Sequence, residues 1–580
     1  MCGIAGMRSD KIDVAQKTLH MMNNLHHRGP DDFGQYTHSN FSLGHKRLSI
    51  IDLKGGKQPI TNEDESIVLV FNGEIYNYKE LKKHLELKGH QFKTHSDSEV
   101  IIHLYEEYHL QSLEKLNGMF AFAIYDKKNQ TLCLARDRMG IKPLFYYHKN
   151  DIFAFSSEIQ ALKTIKEIKQ TLTLNAQALW HYFSLLFIPS PYTIYNEITA
   201  LQPANYLLIG PDEYTENYYW KPPKNVFFNH NIDECADSLQ YLIDQSVRLQ
   251  MQSDVPYGAF LSGGIDSSLV VSSMAKQSHD PIKTFSVKVC DEELDDSKYA
   301  EIIAKKYQTH HFRLSIDQID SNLLINLIHR FGQPFADSSI LPTFLVSKMI
   351  RSHVTVALGG DGADELFAGY NKYKQIVTKM DSSIIGNSFF RVPENLKKSV
   401  FTKDFIGQHL ENTLSAITDL CYYKPTDAFD HLRQLDSRIF LEGDILTKVD
   451  IMSMAHSLEA RVPLLDNNII DYAWNIPPRF LFKHETGKVV LKHLLHRSMP
   501  ESFVYRPKIG FMLPVNRWLK SILNQLFDEA LQSSIIQHSG FFNIKILNHM
   551  GDKVKKGNQE IQYSHLLFAF IVFYLWLREQ

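Results

Sequence analysis

The sequence carries no surplus of charge of either sign: 62 Lys and Arg stand against 65 Asp and Glu, a formal net charge of −3. A chain that gripped nucleic acid or an anionic membrane by electrostatics would carry a basic field, so the expected partners are small molecules, with no nucleic acid and no membrane. Cysteine is scarce. The five present (Cys2, Cys133, Cys235, Cys290 and Cys421) are odd in number, scattered and without Cys-x-x-Cys spacing. Neither a disulfide framework nor a zinc site is suggested, and a reducing, cytoplasmic setting fits. Long apolar runs are missing too. The first residues soon meet Asp10 and Lys11, which leaves no room for a signal peptide, and the longest apolar run, 566–577, falls short of the roughly 20 residues that span a bilayer. It reads as a buried C-terminal helix. Two common nucleotide signatures, Gly-x-x-x-x-Gly-Lys-[Ser/Thr] and Gly-x-Gly-x-x-Gly, are absent, so γ-phosphoryl transfer and dinucleotide binding are not the first expectations.

What is present at 262–268 is Ser-Gly-Gly-Ile-Asp-Ser-Ser, between an apolar run at 255–261 and a helical pattern at 269–276. A strand that turns through two glycines into a helix lets backbone N–H groups approach a phosphate, with the positive end of the helix behind them. The loop resembles the pyrophosphate loop of enzymes that split ATP to AMP and pyrophosphate while activating a carboxylate. The plainer reading is a Gly-rich turn with Asp266 or Ser268 capping the helix.

At 580 residues the chain should divide into two or three domains. Residues 1–205 read as short strands with turn punctuation (66–71, 118–125, 131–135, 144–147 and 152–156) plus helical stretches at 13–25 and 78–88, an α+β sandwich. Cys2 is the chemically interesting residue there. If Met1 is removed, thiol and α-amine share one residue, and an amine titrating near pH 8 can serve as base for the thiol. Asn72-Gly73 between apolar runs would ordinarily be a type I′ hairpin turn, Arg47 a surface cation and Asp97 a helix N-cap.

Taken together, Cys2-Gly3-Ile4, His27-Arg28-Gly29-Pro30-Asp31, His45-Lys46-Arg47-Leu48-Ser49-Ile50, Asn72-Gly73-Glu74-Ile75-Tyr76-Asn77 and Ser96-Asp97-Ser98-Glu99 resemble the N-terminal-nucleophile glutaminase domain of class II amidotransferases. The resemblance implies that Cys2 attacks the glutamine side-chain amide, with the Asn72 side chain and Gly73 N–H as oxyanion hole. It implies that Arg47 holds the α-carboxylate, with Leu48, Ser49, Ile50 and Ile51 beside it, and that Asp97, helped by Glu74, holds the α-amine.

Residues 206–230, rich in Pro, Asn and aromatics, read as a linker. From 231 to 580 strands and helices alternate: helix 235–249, strand 257–261, helix 267–276, strand 283–289, helix 298–307, strand 310–314, helices 321–329 and 340–351, strand 354–358. That pattern gives a doubly wound parallel sheet with ligands beyond the carboxyl ends of its strands. Gly359-Gly360-Asp361-Gly362-Ala363-Asp364-Glu365 falls at such an end, and its carboxylates suit Mg²⁺ with a nucleotide; an acidic surface turn is the rival. Asp266 and Asp364 could each give an oxygen to Mg²⁺ on the pyrophosphate.

With 447–455, 459–466, 487–492, 506–514 and Trp518, these loops resemble the synthetase domain of glutamine-hydrolysing asparagine synthetases. That likeness implies an ATP pyrophosphatase-type fold, with ATP bound by Leu261, Ser262, Gly263, Gly264, Asp266, Ser267, Val287, Gly359 and Gly360. It implies further that Lys488 offsets charge on the phosphates, a residue otherwise read as a solvated helix lysine. The substrates implied are glutamine, aspartate and ATP, and the likeness leaves room for a homodimer. One departure is Asp361, where some members carry Glu; as a base for ammonia it sits about one methylene farther back, which keeps open an acceptor other than aspartate. A glutaminase fused to a sugar-phosphate isomerase is disfavoured by the ATP-type loops, and an ATP-binding scaffold without chemistry by the intact Cys2, Arg47, Asn72 and Asp97.

Overall fold

The computed structural model describes residues 1–580 except 211–213, 225–226, 230, 290–295, 317–320, 380–384, 508–514, 516–518, 520–521 and 557–559. Cys290, the segment 508–514 and Trp518, all singled out above, therefore lie outside the described residues.

Twelve strands build the N-terminal domain: β1 (Gly3–Arg8), β2 (Asp32–His38), β3 (Phe41–Arg47), β4 (Ile60–Thr61), β5 (Ile67–Ile75), β6 (Gly118–Asp126), β7 (Thr131–Arg136), β8 (Phe145–Lys149), β9 (Ile152–Ser156), β10 (Ile198–Ala200), β11 (Asn205–Ile209) and β12 (Tyr214–Tyr218). They form two six-stranded sheets, ordered β10-β8-β9-β1-β3-β2 and β12-β11-β7-β6-β5-β4. Alternation along β5 shows how the layers arise. Val68 and Val70 point into the space between the sheets with Ile4, Leu43 and Phe155. Leu69, Phe71 and Ile75 point the other way, onto Val100, Ile101 and Leu104 of the helix Glu99–Tyr108. A strand buried on both faces reads as a continuous apolar run rather than an alternating one.

Two expectations change here. β5 does not end at Phe71 but runs on to Ile75, so Asn72 and Gly73 are strand residues opposite Ala121 and Phe120 rather than a hairpin turn. β11 and β12 pair with each other, and β11 with β7, so the first part of the segment read as a linker belongs to the second sheet.

The C-terminal half holds a parallel sheet of β13 (Tyr257–Phe260), β14 (Lys283–Val289), β15 (His310–Ile316), β16 (Val356–Leu358) and β17 (Glu459–Arg461), in the order β15-β14-β13-β16-β17. All four neighbouring pairs are parallel. The strand order reverses between β13 and β16, which opens a crevice beyond their carboxyl ends. β17 falls at the start of the segment 459–466, which did not stand out as a strand in the sequence. The helix Ile561–Arg578 is long and apolar enough to cross a membrane, yet every residue from Leu566 to Trp576 is buried inside the protein.

Candidate active sites

Cys2 lies at the foot of β1 and is buried, and its backbone N–H donates to Asn72 Oδ1 at 3.0 Å. The other end of that carboxamide is free: Asn72 is fully buried and its Nδ2 makes no hydrogen bond. A buried amide donor without a partner is costly unless a ligand completes it, so Asn72 is suited to receive a developing oxyanion. Gly73 is required by close approach, because a Cβ there would lie 2.0 Å from the Met119 carbonyl oxygen. The Cys2 thiol lies 4.0 Å from the Leu48 carbonyl. Its pKa is raised by burial, against the pull of the chain's amino group, the Leu48 contact and Arg47.

Arg47, at the end of β3, is buried rather than a surface cation. Its guanidinium donates to the carbonyls of Leu53 at 3.2 Å, Ile51 at 3.2 Å and Asp52 at 2.7 Å, which shapes the loop after Leu48 and Ile50 and leaves two of its five N–H donors for a carboxylate. Ser49 N–H donates to Asp31 at 2.8 Å. Asp97 is not a cap: its carboxylate accepts Ile75 N–H at 2.8 Å, and burial pushes its pKa up to about 6. Burial and the nearby Asp97 raise the Glu74 carboxyl as well. The structure thus gathers Cys2, Arg47, Asn72, Gly73, Glu74 and Asp97 around one end of the sandwich.

The second site lies at the strand-order reversal of the parallel sheet. Leu261 N–H donates to the Phe285 carbonyl at 2.8 Å, which sets Leu261 beside β14 and its Val287. Gly263 has φ +77°, a conformation that favours glycine, and a Cβ there would strike the backbone of Ala300 at 2.5 Å. Gly264, not Asp266 or Ser268, is the N-cap of the helix Ile265–Gln277. Ser262 Oγ accepts Gly264 N–H at 3.2 Å and meets Ser267 Oγ at 3.1 Å. Arg506 pins the underside of the turn by donating to the Gly263 carbonyl at 2.6 Å. The first-turn N–H groups of this helix are left for an anion.

The loop after β16 closes on this turn. A Cβ on Gly360 would come within 2.7 Å of Ser267 N and 2.8 Å of Asp266 Cβ, and one on Gly359 within 2.9 Å of an Asp361 carboxylate oxygen. The carboxyl of Asp361 is pushed up by burial, held down by Lys448, and raised again by Asp266 and Asp364. Lys488 is buried and bridges Asp266 at 2.5 Å and Asp364 at 2.7 Å, so it is no solvated helix lysine. Burial alone would lower its pKa, but the two carboxylates more than reverse that. Two carboxylates that converge on one cation also fit a hard divalent ion such as Mg²⁺.

Sequence reasoning missed the groups between the sites. Arg461, on β17, lies 3.4 Å from Glu74 and 2.6 Å from Glu459, while its backbone carbonyl accepts Gly359 N–H at 2.8 Å. Buried Arg28 donates to the Cys2 carbonyl at 3.0 Å and to Glu158 at 2.9 Å, and lies 2.8 Å from Asp450 of the other domain. A small cavity of about 30 Å³ borders Glu158 and Asp450 and is lined also by Ile141, Ile159, Ile188 and Gly443. Arg28 stood within a quoted motif, but its partner lies 422 residues away and carries no local signal.

An N-terminal-nucleophile sandwich with an embedded Cys2–Asn72 pair, joined to a parallel-sheet domain with a glycine-lined anion loop, defines a glutamine amidotransferase coupled to an ATP pyrophosphatase-type domain. The family models agree on both halves: "Glutamine amidotransferase domain" matches residues 1–220 and "Asparagine synthase" matches residues 238–578. The chain belongs to the glutamine-hydrolysing asparagine synthetase family. It is 33% identical to asparagine synthetase [glutamine-hydrolyzing] 1 of Bacillus subtilis over 99% of this chain and 96% of that one. It is 39% identical to putative asparagine synthetase [glutamine-hydrolyzing] 2 of Methanocaldococcus jannaschii over 64% of this chain and 76% of that one. Asparagine synthetase [glutamine-hydrolyzing] 3 of Bacillus subtilis is 30% identical over 90% of each chain.

Proposed function

We infer that this protein makes asparagine from aspartate, taking nitrogen from glutamine and cleaving ATP to AMP and pyrophosphate. The observation that carries the coupling is Arg461, whose side chain meets Glu74 of the first site and whose backbone holds Gly359 of the second. A carboxylate must be activated before an amine can displace its oxygen, and the nitrogen must arrive as neutral ammonia because ammonium has no lone pair.

In the first site the α-amine of Cys2, freed by removal of Met1, takes the thiol proton, and the sulfur attacks the glutamine side-chain amide. Asn72 Nδ2 and Gly73 N–H receive the oxyanion, the Cys2 amine hands its acquired proton to the departing nitrogen so that ammonia leaves, and water releases glutamate from the thioester. Arg47 binds the α-carboxylate, and Asp97 with Glu74 the α-amine. In the second site Ser262, Gly263, Gly264, Asp266 and Ser267 cradle the phosphates, with Leu261 and Val287 beside the adenine and Gly359 and Gly360 beside the nucleotide. The aspartate side-chain carboxylate attacks the α-phosphate, pyrophosphate leaves with its charge offset by Lys488, and ammonia, giving a proton to Asp361, displaces AMP. Asp266 and Asp364 would hold Mg²⁺, which supplies charge neutralisation on the phosphates. The free thiols of Cys2, Cys133, Cys235 and Cys421 support a reducing, cytoplasmic location.

The test is Cys2→Ala. Product formed from glutamine should vanish while product formed from added ammonium persists; loss of both would refute the division of labour between the domains.

A further inference from the structure

A cluster that neither proposed reaction uses joins three separate segments of the N-terminal domain. Glu63 comes from the turn between β4 and β5, His90 from the stretch after the helix Tyr78–Leu87, and His103 and Glu106 from one face of the helix Glu99–Tyr108. One ligand atom from each lies within 4.8 Å of all the others.

The two imidazoles are arranged alike. His90 Nδ1 faces Glu63 at 3.7 Å and Glu106 at 3.7 Å, and His103 Nδ1 faces Glu63 at 3.6 Å and Glu106 at 2.9 Å. The opposite nitrogens point to further carboxylates: His90 Nε2 lies 3.1 Å from Glu107 and His103 Nε2 lies 3.7 Å from Glu99. A ligating histidine that is hydrogen-bonded to a carboxylate through its second ring nitrogen, as His90 is to Glu107, has its tautomer fixed and its basicity raised, the usual outer-shell arrangement of metal sites. Tetrahedral zinc with bonds of about 2.0–2.2 Å needs neighbouring donors about 3.3–3.6 Å apart. The four His-to-Glu distances bracket that value. Once the ion displaces any imidazole proton, two carboxylates balance its divalent charge, and nitrogen with carboxylate oxygen suits zinc better than Mg²⁺.

We propose that Glu63, His90, His103 and Glu106 bind one zinc ion as a structural site. His103 is buried while Glu63 lies at the surface, so the ion would enter from solvent onto a fixed inner ligand. The clamp would hold the stretch before Asp97 against β5. Glu99, which backs His103, already fixes part of that stretch by accepting the N–H groups of Lys93 at 2.8 Å and Thr94 at 2.8 Å. Cysteine spacing could not reveal such a site, because no cysteine takes part.

The test uses the full-length protein, loaded with zinc and then desalted through a weak chelator. Wild type should retain about one zinc per chain and the double variant Glu63→Gln/His90→Gln should retain almost none, while both make product from ammonium. Zinc should raise the unfolding temperature of wild type only. Equal retention by the two proteins, or none by either, would overturn the proposal. Should the double variant fail to fold, cobalt decides on wild type alone: intense visible bands of four-coordinate Co²⁺ support the site, and the weak bands of six-coordinate Co²⁺ refute it.

Discussion

Asn72 binds Cys2 through its oxygen and leaves its nitrogen unpartnered inside the protein, so in the proposed mechanism a single side chain both places the nucleophile and receives the oxyanion. Replacing it with alanine removes a preorganised donor. Glutamine-dependent turnover should fall by about 10²–10³, equivalent to roughly 2.7–4 kcal/mol, with ammonium-dependent synthesis nearly unchanged. Comparing kcat for the two nitrogen sources checks this, and an equal fall in both would place Asn72 in the scaffold instead. Glu365 makes a different point. Burial, reinforced by Asp364, pushes its pKa up to about 8, and Tyr370 donates a hydrogen bond to it. Because the folded-state pKa lies above the unfolded value of 4.5, this group's contribution is fully present below about pH 4.5 and is lost as pH rises through about 8. Stability should therefore decline across that window by up to about 1.4 kcal/mol per pH unit from this group, and Glu365→Gln should flatten the slope. Chemical denaturation of both proteins at pH 6, 7 and 8 measures it; identical slopes would contradict the shift.

At the scale of elements, the two glycine loops meet so closely that their backbones share one surface. Gly360→Ala drives a methyl group against Ser267 N and Asp266 Cβ and must part the loops. Pyrophosphate release should drop at least tenfold while glutamine hydrolysis persists; intact pyrophosphate release would mean the loops do not act together. The same scale shows what the sequence made legible. β13, β14 and the helix between them stood out because apolar runs alternated with helical spacing and glycines marked the exit of β13. Asn-Gly in isolation signals a hairpin that would end β5 at Phe71, yet Glu74 and Ile75 continue the ladder against β6 and the glycine serves close packing. β17 is Glu-Ala-Arg, too short and too charged to read as a strand, and only its place beside β16 buries it.

Across the whole molecule, the residues hardest to foresee are those that join the domains. Arg28, Lys142, Glu158, Asp450, Glu459 and Arg461 are buried charges. Lys142 meets Asp450 at 3.2 Å and Arg461 meets Glu74 at 3.4 Å. Buried ion pairs add little net stability because desolvation offsets their attraction, but an unpaired member is costly, so such a network disfavours any other docking of the two domains. Nothing in the local sequence marks these pairs, since each depends on two domains being folded and apposed. The chemistry within each site was legible because it rests on short contiguous motifs; the link between the sites was not. The most direct measurement supplies the purified protein with glutamine, MgATP and aspartate and follows asparagine, AMP and pyrophosphate together. Asparagine and AMP should appear in equal amounts with pyrophosphate; ADP as the nucleotide product, or AMP without asparagine, would contradict synthesis through an adenylated aspartate.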